Sequence, residues 1–315
     1  MTSSRLCVAL GGNALQSHKS KGTWAETTEA AHNAMEQLST LIESGYNLVL
    51  THGNGPQVGS IILQNEFAKE KAPPIAGNQT MYVAGAKTQG YLGFLLQQEM
   101  YNALTSRNIT PKVCSIVTQT QVSLDDPAWA NPTKPVGKFY TEEEAQEMIS
   151  AGTTMKHEHG KGWRVVVASP KPMKIVENAA IKTLVDNEFV VIASGGGGIP
   201  VVEDNGKLVG KPAVIDKDLS ANILAQQVEA DVLMILTDVE VAYRNFTSEN
   251  REALRRLTVA EAEALQSEFA AGSMGPKVQA CINFVKATGK RAIITSLNKA
   301  IDAVADKTGT HIVPN

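Results

Sequence analysis

Short, continuously aliphatic runs recur along the chain: RLCVAL at 5–10, NLVL at 47–50, VCSIV at 113–117, VVVA at 165–168, FVVIA at 189–193, VLMIL at 232–236, RAIIT at 291–295 and HIV at 311–313. Strands with one wet face alternate apolar and polar residues; most of these runs do not, so both faces are expected to be covered. Between them lie stretches with helical spacing, such as AAHNAMEQLSTLIES and PQVGSIILQNEF. Strand and helix in alternation predict an α/β fold, a mainly parallel central sheet sandwiched by helices in three layers.

Local signals sharpen this outline. Thr141 with Glu144 and Thr258 with Glu261 form the Thr-x-x-Glu pattern that satisfies free N–H groups at a helix start, so helices are predicted from about 142 and 259. Asn205-Gly206, in VVEDNGKLVG, predicts a hairpin. The segment DDPAWANPTKPVGKFY breaks the rhythm. Pro127, Pro132 and Pro135 argue against regular structure there, and about forty residues, 124–165, are expected to project as an insertion or lid. Trp129 and Trp163 bracket that segment and are expected to pack its small core.

Composition narrows the function. A chain of 315 residues with 43% apolar and 19% charged residues has enough core to fold without disulfides or metal. A net charge of −3 with no basic run argues against a nucleic-acid or membrane-surface partner. Cys7, Cys114 and Cys281 sit in apolar stretches with no Cys-x-x-Cys pair, which fits reduced thiols in a cytoplasmic protein. The N-terminal segment reaches a strand without an apolar stretch of signal or membrane-span length.

Three glycine-rich turns each follow an aliphatic run: Gly11-Gly12-Asn13, Gly53-Asn54-Gly55 and Gly195 to Gly198. Open α/β sheets bind ligands beyond the carboxyl ends of their strands, and glycine lets backbone N–H groups approach an anion there. Neither a P-loop nor a Gly-x-Gly-x-x-Gly fingerprint is present, which disfavours a P-loop ATPase and a dinucleotide oxidoreductase. Three lysines stand in unusual settings. Lys217 lies between Asp216 and Asp218 at a strand-to-helix junction, Lys134 lies between prolines, and Lys277 opens a helix after Pro276, against the helix dipole. Together they point to one anionic site. His157, Glu158 and His159 lack a fourth metal ligand and read as a solvated turn, while His52 precedes the second glycine turn, either touching the site or bonded to backbone.

The segments ALGGNA, THGNGPQVG, NPTKPVG, GWRVVVASPKP, SGGGGIPVV, AVIDKDL, LTDV, GSMGPKV and IITSL occur in an order and spacing that resembles the carbamate kinases of the amino acid kinase superfamily, over nearly the whole chain. That resemblance implies an N-terminal lobe at 1–188 holding carbamate or carbamoyl phosphate, with the lid inserted, and a nucleotide lobe at 189–315. It implies that Gly11, Gly12 and Asn13 lie along the transferred phosphoryl group and that Gly53, Asn54 and Gly55 hold the acceptor. Gly196 and Gly197 would carry the chain past the crevice. Lys134, Lys217 and Lys277 would stabilise phosphoryl oxygens, with Asp218 orienting the lysines. Asp216, Thr237, Asp238, Tyr243, Ser273 and Met274 would line the ATP site. The resemblance further implies Mg2+ with the nucleotide, no metal held by the protein alone, and a homodimer. The chain departs from the pattern at Ala86-Lys87-Thr88-Gln89-Gly90, where the family usually reads Ala-Met-Ser-Gln-Gly, in the preceding NQTMYVAG, at Lys161 and at Ala168. The alternatives are a relative acting on another small carboxylate and a sensor that binds nucleotide or carbamoyl phosphate without catalysis; a sensor is expected to lack at least one of the three lysines.

Overall fold

A computed structural model describes residues 3–16, 20–72, 79–246, 250–269 and 274–315. Among these, eight strands form one sheet in the order Arg256–Thr258, Thr310–Val313, Arg291–Ser296, Val232–Thr237, Arg5–Leu10, Asn47–His52, Val190–Ile192, Val113–Ser115. The run from Arg291–Ser296 to Val113–Ser115 is parallel throughout; Thr310–Val313 returns antiparallel, with Arg256–Thr258 parallel to it.

The pleat explains why the central strands read as unbroken apolar runs. In Arg5–Leu10, Cys7 and Ala9 face one core, which the helices Asn178–Asp186, Lys217–Gln227 and Met274–Thr288 cover. Leu6, Val8 and Leu10 face the other, beneath Trp24–Glu43, Met81–Ser106 and Ala300–Val304. Each large aliphatic side chain so enclosed contributes about 1.5–3 kcal/mol. The helices Glu142–Ser150 and Val259–Ala264 begin at the expected capping boxes, and a third box, Thr23 with Glu26, starts Trp24–Glu43. Asn205 and Gly206, both at positive φ, turn the hairpin between Ile199–Asp204 and Lys207–Gly210. That hairpin joins a separate sheet with Gln119–Gln121 and Lys174–Ile175.

Three features differ from the sequence reading. The run at 165–168 is not a central strand. It belongs to Gly162–Val167, which pairs antiparallel with Lys134–Tyr140 and Met155–Glu158 in the projecting insertion, where only Val166 of that strand is fully buried. The prolines do not exclude regular structure either: Pro135 lies inside Lys134–Tyr140, an edge strand, where a missing N–H is tolerated. The helix Met81–Ser106 has no counterpart in the sequence reading, because its three glycines interrupt the helical pattern. Gly93 permits close helix–strand packing: a Cβ there would stand 2.1 Å from the Ser115 hydroxyl.

The expected lobe boundary at 188/189 falls just before Val190–Ile192, which pairs with the N-terminal strands Asn47–His52 and Val113–Ser115. The glycine turn after that strand leads into Ile199–Asp204, which pairs with the N-terminal strand Gln119–Gln121. No helix among the described residues is long and apolar enough to cross a membrane.

Candidate active site

Parallel pairing brings the ends of Arg5–Leu10, Asn47–His52 and Val190–Ile192 to one edge of the sheet, and the three glycine turns follow there side by side. Backbone crowding accounts for the glycines. A Cβ on Gly53 would sit 2.9 Å from the Gly12 nitrogen and 3.4 Å from Lys217 Cδ. Gly196, at φ +67°, lies under the Asn54 carboxamide, with only 2.2 Å between a notional Cβ and Asn54 Nδ2. Just before this turn Ser194 holds a left-handed conformation at φ 56°. Bonds to Thr51 and Thr118 fix its backbone, and its hydroxyl lies 2.7 Å from that of Ser220 on the helix Lys217–Gln227.

That helix carries the charged centre. Asp216 is its N-cap: Oδ1 accepts from the backbone N–H of Asp218 and Leu219, while Oδ2 receives Lys134 Nζ at 2.9 Å from the insertion strand. Lys217 Nζ lies 2.5 Å from Asp218 Oδ1, and Lys277 Nζ lies 3.2 Å from Oδ2 of the same carboxylate. The sequence reading places the Lys217 ammonium between Asp216 and Asp218; instead the two carboxylates divide the lysines, because capping and Lys134 engage Asp216. Burial alone would push the Asp218 carboxyl up, but the charges of Lys217 and Lys277 outweigh it and hold the group below the usual carboxylate range. Asp218 is 3% exposed and the Lys217 and Lys277 side chains 15% and 14%, whereas Lys134 is 37% exposed. The first three form a fixed base, and the fourth arrives from the insertion.

These groups surround a cleft of about 300 Å³, lined also by Gly12, Gly53, Asn54, Gly55 and Gly196. Gly11 stands behind it against the Leu236 carbonyl, and Gly197 packs on Ile215. Asn13 contributes backbone to the turn Gly12–Ala14. Of the expected nucleotide residues, Asp216 lines this cleft, and Thr237, Asp238, Tyr243 and Met274 lie outside it. Thr237 ends Val232–Thr237 with Asp238 after it, Tyr243 lies in Ala242–Arg244 against Phe246 and Arg251, and Met274 begins the helix of Lys277. Ser273 lies outside the described residues.

Arg164 also faces the cleft and is absent from the sequence-based candidates. It donates to the Gly137 carbonyl at 3.1 Å and lies 3.7 Å from Glu158. In the sequence it reads as one polar position of a strand. His52 does not line the cleft: its Nδ1 bonds the Gly53 carbonyl at 3.0 Å. Burial pushes its pKa down to about 4; the Gly53 bond opposes this and the Lys217 charge adds to it, so the ring is neutral. Trp129 packs with Val122, Val202 and Ile215 beneath the insertion rather than in its core, while Trp163 bonds Glu142 within it.

An open α/β sheet with a glycine-walled, lysine-lined cleft at its strand ends fits an ATP-dependent phosphotransferase, and residues 4–296 match the model of the amino acid kinase family. Carbamate kinase from Trichomonas vaginalis is 50% identical, covering 99% of this chain and 100% of that one, and carbamate kinase from Pyrococcus horikoshii is 49% identical, covering 98% and 99%. The chain belongs to the carbamate kinases of the amino acid kinase family. Carbamate kinase from Giardia lamblia bound to AMP-PNP superimposes with a TM-score of 0.93 at 43% identity, covering 100% of both chains. An N-acetylglutamate synthase from Neisseria gonorrhoeae, at 16% identity and a TM-score of 0.57, shares the fold alone.

Proposed function

We propose that the cleft transfers a phosphoryl group between ATP and carbamate and runs in the cell toward ATP from carbamoyl phosphate. The observation that carries this reading is the convergence of Lys134, Lys217 and Lys277 on two ordered carboxylates beside the glycine turns. Phosphoryl transfer asks the protein for alignment and for positive charge on the equatorial oxygens, with little covalent work. Carbamate is already an anion and needs no general base, which suits a cleft that no described histidine lines and beside which His52 is buried and neutral.

In this reading Lys217 and Lys277 stabilise the transferred group, Asp218 fixes both, and Lys134 closes the site from the insertion. Gly11, Gly12 and Asn13 follow the phosphoryl group; Gly53, Asn54 and Gly55 hold the acceptor, with Gly196 and Gly197 beneath. Asp216, Thr237, Asp238, Tyr243, Ser273 and Met274 bind the nucleotide, and lobes at 1–188 and 189–315 divide the two tasks. Among the described residues no three His, Cys, Asp or Glu side chains converge as a metal cage, and Asp216 and Asp218 are engaged by lysines. That donor set fits Mg2+ carried by the nucleotide and held largely by phosphate and water, where it would neutralise phosphate charge.

A cytoplasmic homodimer completes the proposal. Phe94 and Tyr101, each 54% exposed and seven residues apart on one helix, offer an apolar face for the second copy. The test of function is to mix the protein with MgADP and carbamoyl phosphate and follow ATP. ATP should form readily, while ATP with acetylglutamate should yield little ADP; the reverse preference would overturn the acceptor assignment.

A further inference from the structure

The structure assigns Thr88 a positioning role at the acceptor end of the cleft: its hydroxyl turns the Asn54 side chain away from the helix that Asn54 begins. This inference rests on the acceptor reading above and adds a residue that contacts no substrate.

Asn54 is the N-cap of Gly55–Lys71, a position where asparagine normally accepts from the N–H groups of the first turn. Here no side-chain cap bond forms. Instead Asn54 Nδ2 donates to Thr88 Oγ1 at 2.8 Å, and Thr88 Oγ1 donates its single proton to the Gly85 carbonyl at 2.6 Å. Direction is therefore fixed. With its proton committed, the hydroxyl can only accept from Asn54, and a flipped carboxamide would set two acceptors face to face. Gly196 supports the other side of the amide, and its turn is held in turn by the next residue of the same helix. Gln89 donates to the carbonyls of Thr118 at 3.0 Å and Gly195 at 3.2 Å, and accepts from the Thr118 N–H at 2.7 Å. Thr88 is wholly buried and Gln89 nearly so.

The consequence is chemical. Diverting Asn54 leaves the helix start uncapped at Gly55, which lines the cleft; Pro56 has no N–H and that of Val58 bonds the Asn54 carbonyl, so the Gly55 and Gln57 N–H groups and the positive dipole end remain for an anionic acceptor. Without the Thr88 hydroxyl, Asn54 gains its own helix as a competing partner, and the acceptor must displace it. The Ala-Lys-Thr-Gln-Gly stretch, which departs from the family pattern, thus retains a hydroxyl at the position that needs one.

The test compares Thr88→Val, which keeps the volume and removes the hydroxyl, with Thr88→Ser, which keeps the hydroxyl. In the MgADP and carbamoyl phosphate assay, Thr88→Val should raise KM for carbamoyl phosphate about threefold to tenfold, the range of one net hydrogen bond. KM for ADP should stay within about twofold, and Thr88→Ser should restore the acceptor KM. A Thr88→Val KM equal to wild type, or a Thr88→Ser variant equally impaired, would overturn the assignment. A second readout does not need turnover: the Asn54 side-chain amide protons should exchange slowly in wild type and Thr88→Ser and faster in Thr88→Val. Equal exchange in all three overturns the Thr88 role, whereas wild type making no ATP with this exchange pattern intact faults the substrate reading instead.

Discussion

Replacing Asp218 by asparagine removes one charge and almost no volume, which makes it a sharp probe of the charged centre. The native carboxylate bonds Lys217 at 2.5 Å and Lys277 at 3.2 Å. Removing one partner of a buried ion pair costs about 3–5 kcal/mol. The two lysine side chains keep 15% and 14% of their exposure, so water offsets part of the loss. The expected destabilisation is therefore near the lower limit, about 3 kcal/mol, or roughly 5 °C in Tm for a chain of this size. The uncompensated ammonium pair should also bind anions more strongly than before. Thermal unfolding of both proteins with and without inorganic phosphate reads both effects: Asp218→Asn should melt earlier, and phosphate should stabilise it more than wild type. Turnover should fall about a hundredfold, since the lysines lose the group that orders them. A variant melting within about 1 °C of wild type, with an equal response to phosphate, would refute the account of Asp218 as the clamp on both lysines.

The neutral His52 makes stability pH-dependent. The unfolded chain takes up a proton near the ordinary value of about 6.5 and the folded one near 4, so stability should fall as pH drops between these values, by on the order of 3 kcal/mol in all. An NMR titration showing His52 protonating near 6.5 in the folded protein would contradict this. Gly196→Ala should displace the Asn54 carboxamide and raise KM for carbamoyl phosphate, whereas Gly206→Ala, equally left-handed but at an open hairpin tip, should cost about 1–2 kcal/mol of stability and leave KM unchanged. Equal KM values for these two variants would argue against Asn54 as an acceptor ligand.

The sequence makes the central sheet legible because its strands are buried on both faces. Leu6, Val8 and Leu10 serve one core and Cys7 and Ala9 the other, so no polar alternation confuses the pattern. Lys134–Tyr140 is obscured for the opposite reason: it is an edge strand with one fully buried residue, Val136, and a proline inside it. The three lysines stand out singly through neighbours that oppose them, such as the helix dipole at Lys277. Their pairing does not, since Lys134 and Asp216 are 82 residues apart and meet only through the insertion. Thr88 is visible as a departure from a family pattern, but its role depends on hydrogen-bond directions that tertiary packing alone supplies.

The central claim is that Lys217 stabilises the phosphoryl group in the transition state more than it binds nucleotide. The direct measurement is the turnover of Lys217→Ala in the MgADP and carbamoyl phosphate assay, set beside its affinity for ADP and a circular dichroism spectrum that verifies folding. Loss of one preorganised electrostatic donor predicts a fall of about a hundredfold to a thousandfold in kcat, or roughly 3–4 kcal/mol, with ADP affinity changed little. A folded Lys217→Ala enzyme retaining more than about a tenth of wild-type turnover, a loss under about 1.4 kcal/mol, would contradict it.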